Sequence, residues 1–140
     1  METRIREAIF QAVKTEPLVL MLGMELVELK EGFSAVEMDY ESSRMANLFG
    51  RAHGGAIFAL IDEAFETVGQ TDGTVAVALN VNVTYVSSPE AKTRLRAEAK
   101  EVSRTRKTAG YAITVTDLER RLIATCQALA YRTGKPLPFL

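Results

Sequence analysis

With 140 residues, 47% of them hydrophobic and 25% charged, the chain has the size and composition of one ordinary globular domain spanning 1–140. Seventeen basic against 18 acidic residues leave a net charge of -1, which excludes a general electrostatic pull toward nucleic acid or an anionic membrane and favours a small partner. The single cysteine, Cys126, excludes an internal disulfide, a CxxC pair or a cysteine-rich zinc site, and no apolar run approaches the roughly 18 residues of a membrane span.

The charged start METRIREAIF lacks a signal core, so a soluble, cytoplasmic protein is expected. Within the first residues Ile5, Ala8, Ile9, Ala12 and Val13 recur at helical spacing and predict an amphipathic helix over about 3–15, ended by Pro17. PLVLMLG reads as a short apolar turn. Stretches 25–29 and 33–40 flank Gly32 as a hairpin, in which Val36, Met38 and Tyr40 alternate with Glu37 and Asp39. Farther on, Ile57, Leu60, Ile61, Ala64, Phe65 and Val68 form the apolar stripe of a long helix closed by Gly69 and Gly73.

From Thr74 the period changes to two. Val75, Val77, Leu79, Val81, Val83 and Tyr85 predict a long strand with one apolar face. Stretches 94–100 and 111–116 and the segment LIATCQALAY supply three more strands, and GKPLPFL reads as a loose tail. Connections this short require antiparallel pairing, so the expectation is an α+β protein ordered helix, two strands, long helix, four strands. Met21, Met24, Met38 and Met45 read as core filler, and Cys126 as a buried packing residue.

The long helix is apolar nearly all round from Ala56 to Ile61, whereas one sheet covers only one side of it. Phe58 and Ala59 are therefore expected to meet a second copy of the chain. Asp62 interrupts this apolar surface, and Glu63 and Glu66 read as the point where the helix turns polar.

The segment NLFGRAHGGAIFALIDEAF, with Asn47, His53, Gly54, Gly55 and Asp62 at their spacings, resembles the hotdog-fold acyl-CoA thioesterases of the phenylacetate-pathway (PaaI-like) type. The resemblance continues through LNVNVTYVSSP and SRTRKTAGYAITVTD, and the predicted element order matches that fold over nearly the whole chain. It implies a hotdog fold, an antiparallel sheet wrapped around one long central helix, and hydrolysis of an acyl-CoA thioester without metal or organic cofactor. Asn47 then contacts the substrate or the attacking water, and His53 supports the loop. One departure is Ala78, where some relatives carry a hydroxyl residue.

Chemistry supports these roles. A helix N-terminus offers unpaired N–H donors and a partial positive charge, and the Gly54–Gly55 pair lets a substrate approach the backbone. The Gly54 N–H suits the oxygen of a thioester carbonyl under attack, while Asp62 is either the nucleophile or the base that activates water. Arg104, Arg106 and Lys107, in a turn between strands, suit the phosphates of coenzyme A, although such runs are commonly solvated hairpin tips. Gly54 and Asp62 lie about 12 Å apart along one helix, too far for one carbonyl, so a homodimer with shared active sites is expected. Pairing of dimers into a homotetramer is expected as well. Two other functions fit the sequence: a non-catalytic acyl-CoA binding protein and an enoyl-thioester hydratase.

Overall fold

The computed structural model describes all 140 residues, in the order α1 (Thr3–Val13), α2 (Pro17–Leu22), β1 (Met24–Lys30), β2 (Phe33–Glu41), α3 (Ser42–Met45), α4 (Gly54–Gly69), β3 (Thr74–Tyr85), β4 (Lys92–Arg104), β5 (Thr108–Thr116) and β6 (Leu122–Pro136). The strands form one antiparallel sheet in the order β1-β2-β4-β5-β6-β3. All six touch α4, so the sheet wraps the long helix in the hotdog arrangement.

The periodicities explain the two layers. The six stripe residues of α4 are all buried, as are Leu95, Ala97 and Ala99 of β4 and Tyr111, Ile113 and Val115 of β5. On the outer face the β2–β4 register sets Glu37 opposite Arg96 and Asp39 opposite Arg94. Arg94 donates to Glu37 at 2.6 Å and to Asp39 at 2.9 Å, and Arg96 to Glu98 at 2.7 Å and Glu37 at 3.0 Å. Gly32, with φ +67°, makes the β1–β2 turn. Cys126 is buried, and no helix is long and apolar enough to cross a membrane.

Five local expectations are corrected. PLVLMLG is not a turn but α2, started by Pro17 and stopped by Gly23 in the left-handed region at φ +67°. Met21 on that helix is exposed rather than core, because α2 buries only Val19. The tail is docked: β6 runs to Pro136, the buried Leu137 donates its N–H to the Gly73 carbonyl at 3.1 Å, and only the last three residues beyond it are exposed. Glu63 does not mark a polar turn of α4; it is 3% exposed. Finally, β3 does not bury one continuous apolar face, since register shifts between Thr74 and Ala76 and between Ala78 and Asn80 break the alternation. Val77 is 47% exposed and Leu79 56%. This strand pairs with β6 alone, leaving a 12-residue apolar edge open.

Candidate active site

The start of α4 is built around His53. Its backbone is extended (φ -66°, ψ 128°), and its Nδ1 accepts the Gly55 N–H at 2.8 Å as an N-cap. An accepting Nδ1 puts the proton of the neutral ring on Nε2. The His53 N–H is itself anchored on the Met45 carbonyl at 2.8 Å, and its carbonyl accepts from Ala56 at 3.0 Å. With Gly55 committed to the cap, the Gly54 N–H, one of the orphan donors of the helix end, has no partner in the chain.

Both glycines sit close against neighbouring side chains. A Cβ on Gly55 would lie 2.9 Å from the His53 Nδ1, and one on Gly54 would lie 3.0 Å from the Tyr85 hydroxyl oxygen and 3.1 Å from the ring carbon bearing it. That hydroxyl donates to the Gly54 carbonyl at 3.0 Å, tying the end of β3 to the start of α4.

Asn47 organises the preceding loop. Its Oδ1 accepts the N–H groups of Phe49 at 2.9 Å and Arg51 at 3.1 Å, while its own N–H donates to the Arg51 carbonyl at 2.7 Å. The loop presents Leu48 and Phe49, 97% and 85% exposed.

Asp62 lies two turns along α4 beside a cavity of about 240 Å³ whose walls include Phe65, Glu66, Gln70, Ala76 and Ala78. Desolvation raises its carboxyl above the ordinary aspartate value. Gln70 shapes the cavity by clamping α4 to β3: its Nε2 donates to the Ala76 carbonyl and its Oε1 accepts the Ala76 N–H, both at 3.1 Å. Ala78 supplies no hydroxyl to this wall. Within one chain the site residues thus fall into two groups, Asn47, His53, Gly54 and Gly55 at the helix start and Asp62 about 12 Å farther along it. None of the first group lines the Asp62 cavity.

The basic turn between β4 and β5 forms a third group. Arg104 is already engaged, donating to Glu101 at 2.7 Å and to Asp72 at 2.9 Å. Lys107 sits with its Nζ 3.3 Å from the Tyr131 hydroxyl, and the Arg106 side chain forms no ion pair. Arg132 braces the turn by donating to the Thr105 carbonyl at 2.6 Å and to Asp72 at 2.8 Å. Tyr85, Gln70 and Arg132 were not singled out in the sequence. Tyr85 there is only the last alternating residue of β3, Gln70 only the residue after the long helix, and Arg132 carried no signal.

Residues 49–124, more than half of the chain and including His53 to Asp62, match the Thioesterase superfamily. The chain belongs to that superfamily. It is a hydrolase of the thioesterase type, and the PaaI-like resemblance is borne out. An Archaeoglobus fulgidus relative is 35% identical over 89% of this chain and 80% of its own. Acyl-coenzyme A thioesterase PaaI of Escherichia coli is 27% identical over 81% of this chain and 80% of its own. Its structure superposes with a TM-score of 0.89 at 23% identity, covering 94% and 95% of the two chains, a likeness of fold. A Streptococcus mutans protein, solved bound to acetyl CoA, is 27% identical with a TM-score of 0.76 over 81% of this chain and 91% of its own.

Proposed function

We propose that the chain hydrolyses acyl-CoA thioesters to a free carboxylic acid and coenzyme A. The observation that carries this reading is the unpartnered Gly54 N–H at the head of α4, held in place by the His53 cap and the Tyr85 hydrogen bond. A thioester carbonyl oxygen gaining negative charge finds there a fixed donor and the positive end of a helix dipole. Asp62, with its carboxyl raised by desolvation, acts as general base on water or as nucleophile on the carbonyl carbon. The partly apolar cavity beside it takes the acyl group. Asn47 keeps its loop beside the helix start and contacts the substrate or the water, and Gly55 leaves room for the thioester.

The two halves of the site come from two copies of the chain. In support, β3 is an open edge with exposed Val77 and Leu79, the kind of strand that pairs with another chain, and Phe58 on α4 is also exposed. A two-fold axis that sets α4 against its partner brings Gly54 of one protomer to Asp62 of the other, giving two equal sites per dimer. Two such dimers make the tetramer. Arg104, Arg106 and Lys107 lie toward the nucleotide phosphates of coenzyme A. The carboxylates that engage Arg104 make Arg106 and Lys107 the principal cations of the three.

The names of the relatives agree with this reading: E. coli PaaI is an acyl-CoA thioesterase, and the S. mutans protein was solved with acetyl CoA. The test is product analysis by mass spectrometry with a panel of acyl-CoAs, using the wild type and Asp62→Asn. Free acid and coenzyme A from the wild type, with turnover reduced by orders of magnitude in a folded Asp62→Asn, are expected. Unchanged ligand would mark a binder, a hydrated thioester would mark a hydratase, and near-normal turnover in the variant would remove Asp62 from the chemistry.

A further inference from the structure

We propose that Glu16, Glu63 and Glu66 form a site for one hard divalent cation, which ties the junction of α1 and α2 to the middle of α4. One carboxylate oxygen from each lies within 4.8 Å of the other two. Ligands held about 2.0–2.6 Å from a common ion are separated by up to about 5 Å, so one ion reaches all three with little movement.

Two observations separate this cluster from an ordinary acidic surface. Glu63 is 3% exposed, and its buried Oε1 has no hydrogen-bond partner. A carboxyl of this kind is satisfied by a donor, by a proton of its own or by a cation. Glu16, in turn, occupies the N-cap position of α2, yet its side chain makes no capping bond and turns instead to the Glu63 carboxyl, within hydrogen-bond reach of it.

No ion pair offsets these charges. None of the three carboxylates takes part in an ion pair of the chain, and the Asp62 carboxylate adds to the repulsion on Glu63 and Glu66. With burial as the first cause and the neighbouring carboxylates as the second, Glu63 and Glu66 are pushed above the ordinary glutamate value. A cation relieves the repulsion and completes Glu63.

The chemistry of the donors selects the ion. Carboxylate oxygens, with no histidine or thiol among them, suit the magnesium, manganese and calcium class over zinc. Its place in the fold gives the consequence. Glu16 and Glu66 border a second cavity of about 300 Å³, walled also by Ile9, Val13, Leu137 and Phe139, and Glu66 borders the Asp62 cavity too. A bound ion thus fastens the N-terminal helices at the partition between the two cavities. It takes no part in the hydrolysis proposed above, and the site stands or falls separately from that reading.

The test uses the full chain, stripped with chelator, desalted and titrated with manganese(II) at neutral pH, with free ion followed by electron paramagnetic resonance. One ion per chain is expected, displaced by excess calcium or magnesium and accompanied by a rise in melting temperature. Glu63→Gln preserves shape and removes the charge; Glu66→Gln changes an exposed residue and serves should the buried variant fail to fold. Either is expected to weaken uptake at least tenfold, whereas Glu31→Gln, a distant acidic control, leaves it unchanged. Absence of uptake by the wild type, or uptake that survives both substitutions, would overturn the site and leave Glu63 as a protonated neighbour of Glu16.

Discussion

The Tyr85 hydroxyl donates to the Gly54 carbonyl at 3.0 Å while the Tyr85 ring fills the space that a side chain at residue 54 would need. One aromatic residue at the end of β3 therefore ties down the head of α4 and lies against the place where a side chain at residue 54 would begin. Gly54→Ala should force the ring aside and lengthen the hydrogen bond, costing about 1 kcal/mol, whereas the same change in a Tyr85→Ala background should cost little. A double-mutant cycle read by urea denaturation checks this. Additive effects would mean that the two residues do not determine each other.

The His53 cap makes a separate prediction. His53→Ala removes the acceptor from the Gly55 N–H and should destabilise the protein by about 1 kcal/mol, while His53→Asn offers another good N-cap acceptor and should recover most of the loss. Equal denaturation midpoints for the two variants would assign the histidine a role other than capping.

Asp72 holds the basic turn through Arg132 at 2.8 Å and Arg104 at 2.9 Å, and it also accepts from the Thr74 N–H at 3.0 Å and hydroxyl at 2.7 Å. Burial works to raise its carboxyl, and the bonds from Thr74 and Arg132 with the Arg104 charge outweigh that, holding it below the ordinary value. A carboxyl depressed in the folded state contributes stability that is present above the unfolded pKa of about 4 and is lost as pH falls through the lower folded one. Asp72→Asn should therefore be less stable than wild type by about 1–3 kcal/mol at neutral pH, and the difference should close in strong acid. Denaturation midpoints over a pH series read the effect; a difference that persists in acid would place its origin elsewhere.

Elements with an undisturbed period were legible in the sequence. The stripe from Ile57 to Val68 and the alternation of Leu95, Ala97 and Ala99 each repeat over several turns or pleats, and each face is buried as the period requires. In β3 the period is equally clean, but two bulges and an unpaired edge leave Val77 and Leu79 in solvent. Periodicity tells which residues share a face, not whether this chain covers that face. Glu63 was misread for the converse reason: polarity predicts exposure, and this carboxylate is buried by α4 packing next to Glu16, 47 residues earlier in the chain. The head of the site was legible because HGG combines a cap residue with two residues lacking side chains, a local pattern. Tyr85 and Arg132 act on loops far from them in sequence, through contacts that no spacing reveals.

The basic turn divides into a structural and a binding part. Replacing Arg106 and Lys107 with Ala should raise KM for acyl-CoA about tenfold and leave short pantetheine thioesters, which lack the nucleotide, unaffected. Adding Arg104→Ala breaks the pairs with Glu101 and Asp72 and should lower stability as well as affinity. Steady-state kinetics on both substrates decide the matter: equal losses on the two would detach the cluster from nucleotide binding.

The separation of Gly54 from Asp62 gives the sharpest test of the shared site. A donor about 3 Å from the carbonyl oxygen and a carboxylate reaching the adjoining carbon directly or through one water belong within about 7 Å of each other, yet one helix sets them about 12 Å apart. Asp62→Asn removes the base or nucleophile. Gly54→Pro removes the N–H donor, at a first helical position that tolerates proline and after a His53 backbone already extended as a residue before proline must be. Because proline also brings a Cβ against Tyr85, Gly54→Ala is its control: alanine carries the same atom but keeps the N–H, so the loss beyond that of alanine belongs to the donor. Asp62→Asn and Gly54→Pro should each be folded and inactive alone. Co-refolded in equal amounts, they form heterodimers in half of all pairs, each with one doubly damaged site and one intact, so about a quarter of wild-type turnover should return. If heterodimers verified by mass remain inactive, Gly54 and Asp62 do not meet across the interface, and the site must be completed within a single chain.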